Sequence, residues 1–220
     1  MMERVLEAEL VDDPDQAAAY AQADFAEENQ GFVDRFREYF PTIVDGHLVD
    51  LGCGPADIPL RLLRALPTCR MTAVDASEAM IALARTAVIA AGLDGQIALR
   101  CERVQTLAMS APADGVISNS LVHHLPNPLQ FWHAVRRLVK PGGAVLVMDL
   151  LRPESEEDAR GIVEQYAAEE SPILRRDFFN SLRAALTEDE VAAHLAQMNL
   201  SRLLIDVIDD RHWVVSGHVV

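Results

Sequence analysis

From residue 47 onward, short apolar runs alternate with longer stretches whose apolar positions recur every three or four residues. A side-chain period near two marks a strand, and one near 3.6 marks a helix with a buried face. On that basis residues 47–51, 70–75, 96–101, 114–119 and 144–149 are expected as strands. Helical pattern runs through Leu60, Leu62, Leu63 and Leu66, from Ser77 to Ala91 where Gly92 stops it, and over 129–139. Strands separated by single helices imply right-handed crossovers and a parallel sheet. The ending differs. A helix over 188–197 leads to apolar runs at 203–207 and 212–220, joined by Asp209-Asp210, which read as an antiparallel hairpin. The expectation is an α/β fold: seven strands, mostly parallel, closed by that hairpin, with helices on both faces.

The flanking segments are polar and acidic. Phe25, Phe32, Phe36 and Phe40 are spaced by 7, 4 and 4 residues, which places them on one helical face ending at Pro41. One domain is expected, with a helical lid segment at 1–40, a core at 45–150, a helical substrate cover at 152–186, and the last helix and hairpin at 187–220. The cover follows a central strand, where open α/β sheets bind ligands.

Composition narrows the class. The chain has 220 residues, half of them hydrophobic, enough for a sizeable core. No apolar run reaches the length of a membrane span, and the N-terminus lacks a basic region followed by an apolar one. Neither membrane insertion nor secretion is expected. Cys53, Cys69 and Cys101 are odd in number and widely spaced, which argues against disulfides or a zinc site and fits a cytoplasmic setting. A net charge of −15 disfavours nucleic acid, since Arg136-Arg137 and Arg175-Arg176 form no stripe. A small-molecule partner remains. The pattern is silent on oligomeric state.

The strongest local signal is Asp50-Leu51-Gly52-Cys53-Gly54-Pro55-Ala56-Asp57, a glycine turn between a strand and a helix. Glycines there let backbone N–H groups approach a ligand. A dinucleotide turn would want a small residue where Asp57 stands, so a nicotinamide-dependent oxidoreductase is disfavoured. Asp50 and Asp57 instead suit a ligand with an ammonium and a sulfonium; the plainer reading makes Asp57 a helix cap. Asp75 ends the second strand, 23 residues beyond Gly52 (75 − 52), where a carboxylate can accept from both ribose hydroxyls.

Together with Val74-Asp75-Ala76-Ser77, Asn119-Ser120-Leu121-Val122-His123-His124-Leu125 and Lys140-Pro141-Gly142-Gly143, this turn resembles the Rossmann-like class I S-adenosylmethionine-dependent methyltransferases. The subgroup it looks most like is the small-molecule type related to quinone-biosynthesis methyltransferases. The resemblance implies S-adenosylmethionine as cofactor. Asp50, Gly52, Cys53 and Gly54 would surround its methionine portion, Asp75 and Ala76 its ribose, and Met80 and Val104 its adenine, with Asn119 near the sulfonium. Ala56 replaces the family's third glycine, and Arg103 stands where an acid usually meets the adenine. That second departure motivates an alternative, a catalytically inactive cofactor-binding or interaction module. His123 and His124 are the catalytic candidates, since an imidazole with a pKa near 6.5 can take a proton from an acceptor. Tyr20 and Arg152 are the candidate substrate contacts. No metal is expected; a His-His-Asp149 site is conceivable.

Overall fold

The computed structural model describes residues 2–7 and 25–220, and every structural statement below concerns those residues. Seven strands form one sheet: β1 (Asp45–Leu51), β2 (Thr68–Asp75), β3 (Ile97–Cys101), β4 (Ala113–Asn119), β5 (Val139–Leu150), β6 (Leu204–Val207) and β7 (His212–His218). Their spatial order is β3-β2-β1-β4-β5-β7-β6. The first five run parallel, and β7 is antiparallel to both β5 and β6. The α/β fold with its terminal hairpin is the one the residue pattern implies.

Seven helices cover the sheet: α1 (Ala26–Tyr39), α2 (Asp57–Ala65), α3 (Glu78–Ala90), α4 (Pro128–Leu138), α5 (Glu156–Ala167), α6 (Pro172–Ala184) and α7 (Glu188–Gln197). Five begin at a capping side chain that accepts a backbone N–H of the first turn: Ser77, Asn127, Ser155, Ser171 and Thr187. Thr187 and Glu190 form a reciprocal capping box. Strand alternation sends Leu48, Met71 and Leu146 into a layer with α1, α2 and α3, and Val49, Val116 and Val145 into one with α4 and α7. Phe32, Phe36 and Phe40 fill the first layer; Trp132 and Trp213, with centroids 6.4 Å apart, fill the second.

Two local expectations are corrected. The fifth strand begins before residue 144: β5 starts at Val139, which pairs with Ala113, and continues through Lys140-Pro141-Gly142-Gly143 with a register shift at Ala113/Gly115. A bulge suits this place, because Pro141 lacks an N–H and Gly142 has φ 76°. Asp57 is the first residue of α2 rather than its cap; the cap is Ala56, in the left-handed region at φ 70°.

Residues 2–7 lie against α6 and the short 3₁₀ turn Val122–His124. Arg4 donates to the carbonyls of Ala184 at 2.6 Å and of His123 and Leu125 at 3.0 Å, and the Val5 N–H donates to Arg183 O at 3.0 Å. Arg4→Ala is expected to cost about 1–3 kcal/mol, the scale of charged hydrogen bonds. It should also speed hydrogen exchange at Val5; an unchanged Val5 amide would rule out this anchoring. No helix among the described residues is long and apolar enough to cross a membrane.

Candidate active site

The strand order reverses between β1 and β4, which are neighbours although the chain leaves them toward opposite edges. A crevice therefore opens above their carboxyl ends. Here it is a cleft lined by Gly52 and Gly54 after β1, Asp75 and Ala76 after β2, and Met80 on α3. Val104 and Gln105 form another wall, and Asn119 and Ser120, from the end of β4, face them.

The glycine turn is shaped by its surroundings. Gly52 has φ 79°, and a Cβ there would stand 2.9 Å from the Leu121 side chain. Gly54 has φ 49° and open space where its Cβ would be. Its N–H donates to Asp75 Oδ2 at 2.9 Å, and the Ser77 N–H donates to Asp75 Oδ1 at 2.9 Å. Two backbone donors thus pin the carboxylate between the tips of β1 and β2. A carboxylate accepts at about four lone-pair positions, so its remaining capacity is open to the cleft. Burial raises the Asp75 pKa, opposed by the hydrogen bonds from Ser77 and Gly54.

Asp50 lies beneath the turn, 2% exposed, and does not line the cleft. Among the described residues its carboxyl has no hydrogen-bond donor and no cation. Burial, with the neighbouring Asp75, pushes its pKa up to about 8. Asn119 Oδ1 is likewise buried without a hydrogen-bond partner. A buried, unpaired carboxyl and an orphaned amide oxygen beside a cleft are what a cationic, hydrogen-bonding ligand would complete. The residues present fit S-adenosylmethionine.

Other expected contacts fall elsewhere. Cys53 is buried and lines neither cavity; burial first, then Asp50 and Asp75, raise its thiol pKa. It fills space. Asp57 pairs with Arg61 at 2.7 Å and accepts from Asn29 at 2.9 Å, so neither its ligand role nor its capping role holds. Arg103 is exposed and stays outside the cleft wall, where Gln105 stands instead. Arg152 is buried, bonded to Ala185 O at 3.1 Å and to Glu190 at 2.8 Å, and ties β5 to the start of α7. It is a structural residue. Tyr20 lies outside the described residues.

A second cavity adjoins the cleft, sharing Asn119, Ser120 and His124 with it. Ser120 holds a left-handed conformation at φ 54°, donating its N–H to Met148 O at 3.0 Å; backbone strain of this kind concentrates at functional sites. The far walls come from α1, α5, α6 and the residues entering β7, including Phe25, Tyr166, Phe178 and Arg211.

His123 and His124 stand at this junction, with ring centroids 4.1 Å apart. His123 is 3% exposed, and its Nδ1 donates to Asp149 Oδ1 at 2.5 Å. Asp149 also accepts from the Val122 N–H at 2.5 Å and the Leu150 N–H at 2.7 Å. Burial alone would lower the His123 pKa, but the Asp149 carboxylate overrides it and the net shift is upward. Asp149 is held below its ordinary value because His123 and the two N–H donors outweigh its burial. Glu7 completes the group, 3.5 Å from His123 Nε2 and 3.1 Å from His124 Nδ1, and it accepts from Ser181 Oγ at 3.0 Å. The ligand-type atoms of Glu7, His123 and His124 lie within 4.8 Å of one another. Asp149 joins only His123, so the His-His-Asp149 arrangement is not formed.

Glu7 had no signal in the sequence, being one acid among many. Ser120 and Gln105 sat next to recognised positions, but nothing in the pattern turned them toward the cleft.

Residues 48–143 match a family model described as a methyltransferase domain. A ubiquinone biosynthesis O-methyltransferase of Azotobacter vinelandii is 33% identical over 107 residues, which are 48% of this chain and 44% of that protein. The chain thus spans less than half the length of that curated relative. Among solved structures, the plantazolicin methyltransferase BpumL, in complex with a pentazolic desmethylPZN analog and SAH, superposes with a TM-score of 0.72 at 15% identity, covering 94% of this chain and 92% of that one. A SAM-dependent methyltransferase from Aquifex aeolicus gives a TM-score of 0.67 at 16% identity, covering 94% and 99%. Residues 48–143 match that methyltransferase-domain model, and the chain shares the fold of S-adenosylmethionine-dependent methyltransferases of known structure.

Proposed function

We propose that this protein is an S-adenosylmethionine-dependent methyltransferase acting on a small molecule. One observation carries the reading: Asp75 is clamped by the Gly54 N–H at 2.9 Å in a cleft that opens, past Asn119, into a second cavity. In this reading the Gly52–Gly54 turn, with the buried Asp50 beneath it, holds the methionine end, Asp75 and Ala76 the ribose, and Met80 and Val104 the adenine. When bound, the cofactor supplies an electrophilic methyl group on a sulfonium. The protein aligns the acceptor and keeps water out. His123, with Nδ1 committed to Asp149, would receive the acceptor's proton at Nε2, which lies 3.5 Å from Glu7. His124 and Ser120 border the passage between the cavities. A cytoplasmic setting belongs to the same reading, supported by three cysteines that are all free thiols.

The test is calorimetric titration with S-adenosylmethionine and S-adenosylhomocysteine. No binding of either at millimolar concentration would end the proposal. Asp75→Ala should weaken both by about 1–3 kcal/mol, the scale of hydrogen bonds to a charged group. It also frees the Gly54 N–H that shapes the turn. An unchanged dissociation constant would remove Asp75 from the site.

A further inference from the structure

The second cavity has walls of one prevailing charge. Its carboxylates come from four places in the fold: Glu7, Glu28 on α1, Glu170 beyond α5, and Asp177 on α6. Among the described residues its one lining Lys or Arg is Arg211. That guanidinium is already engaged, 3.4 Å from the centroid of the Tyr166 ring and 3.3 Å from Asp210. The histidines of the wall also have a carboxylate each: Asp209 lies 2.9 Å from His212, Asp149 lies 2.5 Å from His123, and Glu7 lies 3.1 Å from His124. The side-chain carboxylates of Glu28 and Glu170 have no hydrogen bond or ion pair among the described residues. Two carboxylates are left over.

The rest of the wall suits an apolar body. Phe25, Phe178 and Tyr166 line it together with Leu174 and Met148. The sequence extends the same sign: residues 5–34 contain nine Asp and Glu and no Lys or Arg, and Glu7, Phe25 and Glu28 of the wall belong to that run. A low-dielectric cleft lined by one sign of charge concentrates the opposite ion. Aromatic faces add cation–π attraction for an ammonium or amidinium. An anionic acceptor would meet uncompensated like charge.

We propose that the second cavity recognises an organic cation, an ammonium or amidinium carried on an aromatic or apolar body, with the charge toward Glu28 and Glu170 and the body against Leu174 and Phe178. This rests on the methyl-transfer reading and names the acceptor class for it. The selectivity lies in the wall.

The test uses the full chain saturated with S-adenosylhomocysteine and a size-matched set of arylalkylamines, arylalkanols and arylalkanoic acids, such as tyramine, tyrosol and 4-hydroxyphenylacetate. Binding is followed by ligand-observed NMR and calorimetry. The amines should bind at least tenfold more tightly than the matched acids, and the ratio should shrink in 500 mM NaCl (roughly a threefold shorter screening length than at 50 mM). In the double variant Glu28→Gln/Glu170→Gln the ratio should fall toward one, while S-adenosylhomocysteine affinity stays as in the wild type. Acids binding as tightly as amines, a ratio unmoved in the double variant, or failure of every amine at millimolar concentration would overturn the proposal. Should S-adenosylhomocysteine itself not bind, the methyl-transfer reading fails first. If it binds and no cation preference appears, only the acceptor class is wrong.

Discussion

Asp50→Asn will stabilise the ligand-free protein at pH 7 and above while weakening its hold on S-adenosylmethionine. The carboxyl is 2% exposed and has no donor or cation against it among the described residues. Its pKa rises from 3.8 to about 8, chiefly through burial. The folded state therefore keeps a proton that the unfolded chain releases. A raised carboxyl pKa adds stability that is full below about pH 4 and is lost as pH climbs toward 8. By linkage the loss at pH 7 has an upper limit of about 4 kcal/mol. Asparagine removes the titration but keeps some desolvation cost, so a gain of about 1–3 kcal/mol is expected. Melting curves of both proteins from pH 5 to 8.5 should diverge as pH rises. Parallel curves would mean that Asp50 does not titrate in this window.

The same shift predicts a proton count. An ammonium ligand seated near Asp50 favours its ionised form, so binding at pH 7 should release close to one proton from the wild type and none from Asp50→Asn. Calorimetry in two buffers of different ionisation enthalpy measures this. Equal release from both proteins would move the ammonium elsewhere.

Asp149→Asn should have the largest effect on the acceptor side. One buried carboxylate receives the His123 Nδ1–H and the N–H groups of Val122 and Leu150, at 2.5 to 2.7 Å. Breaking a buried pair on one side commonly costs about 3–5 kcal/mol, because the other charge is left uncompensated. His123 has a raised pKa, so its share is present below about 6.5 and lost as pH rises through the folded value. Asp149 has a lowered pKa, so its share is present above about 3.8 and lost as pH falls through the folded value. The stability difference between wild type and variant should therefore peak between those limits. In the variant, burial dominates at His123 and its pKa should fall below 6.5, readable from the ring nitrogens by NMR. With an acceptor in hand, wild-type turnover should rise with pH through a value above 6.5, since only a neutral imidazole takes a proton. Loss of the base should lower turnover about 10²- to 10⁴-fold with little change in cofactor affinity. A His123 titration identical in both proteins would dismiss the dyad.

The cleft above β1 and β2 was legible along the chain because its parts are local. A glycine turn must follow a strand, an acid must end the next one, and each can be read within a few residues. Gly52, Gly54, Asp75, Ala76, Met80, Val104 and Asn119 do meet around one cleft. Arg152 misled for a related reason: an arginine just past a strand end resembles a ligand contact until Glu190, 38 residues away, is seen to hold it. Asp57 misled because Asn29, which donates to it, lies 28 residues earlier on a helix that pattern alone cannot dock.

The acceptor half was not legible, since it joins Glu7 to Ser181, Tyr166 to Arg211 and His123 to Asp149. By itself the sequence determined the strands and helices, their order, and the turn and acid at the sheet's tips, because periodicity and backbone conformation act over short spans. Only the tertiary structure decided which buried charges are paired and which wait for a ligand. Pairing depends on how distant segments pack, and the cost of an unpaired charge exists only once water has been excluded around it.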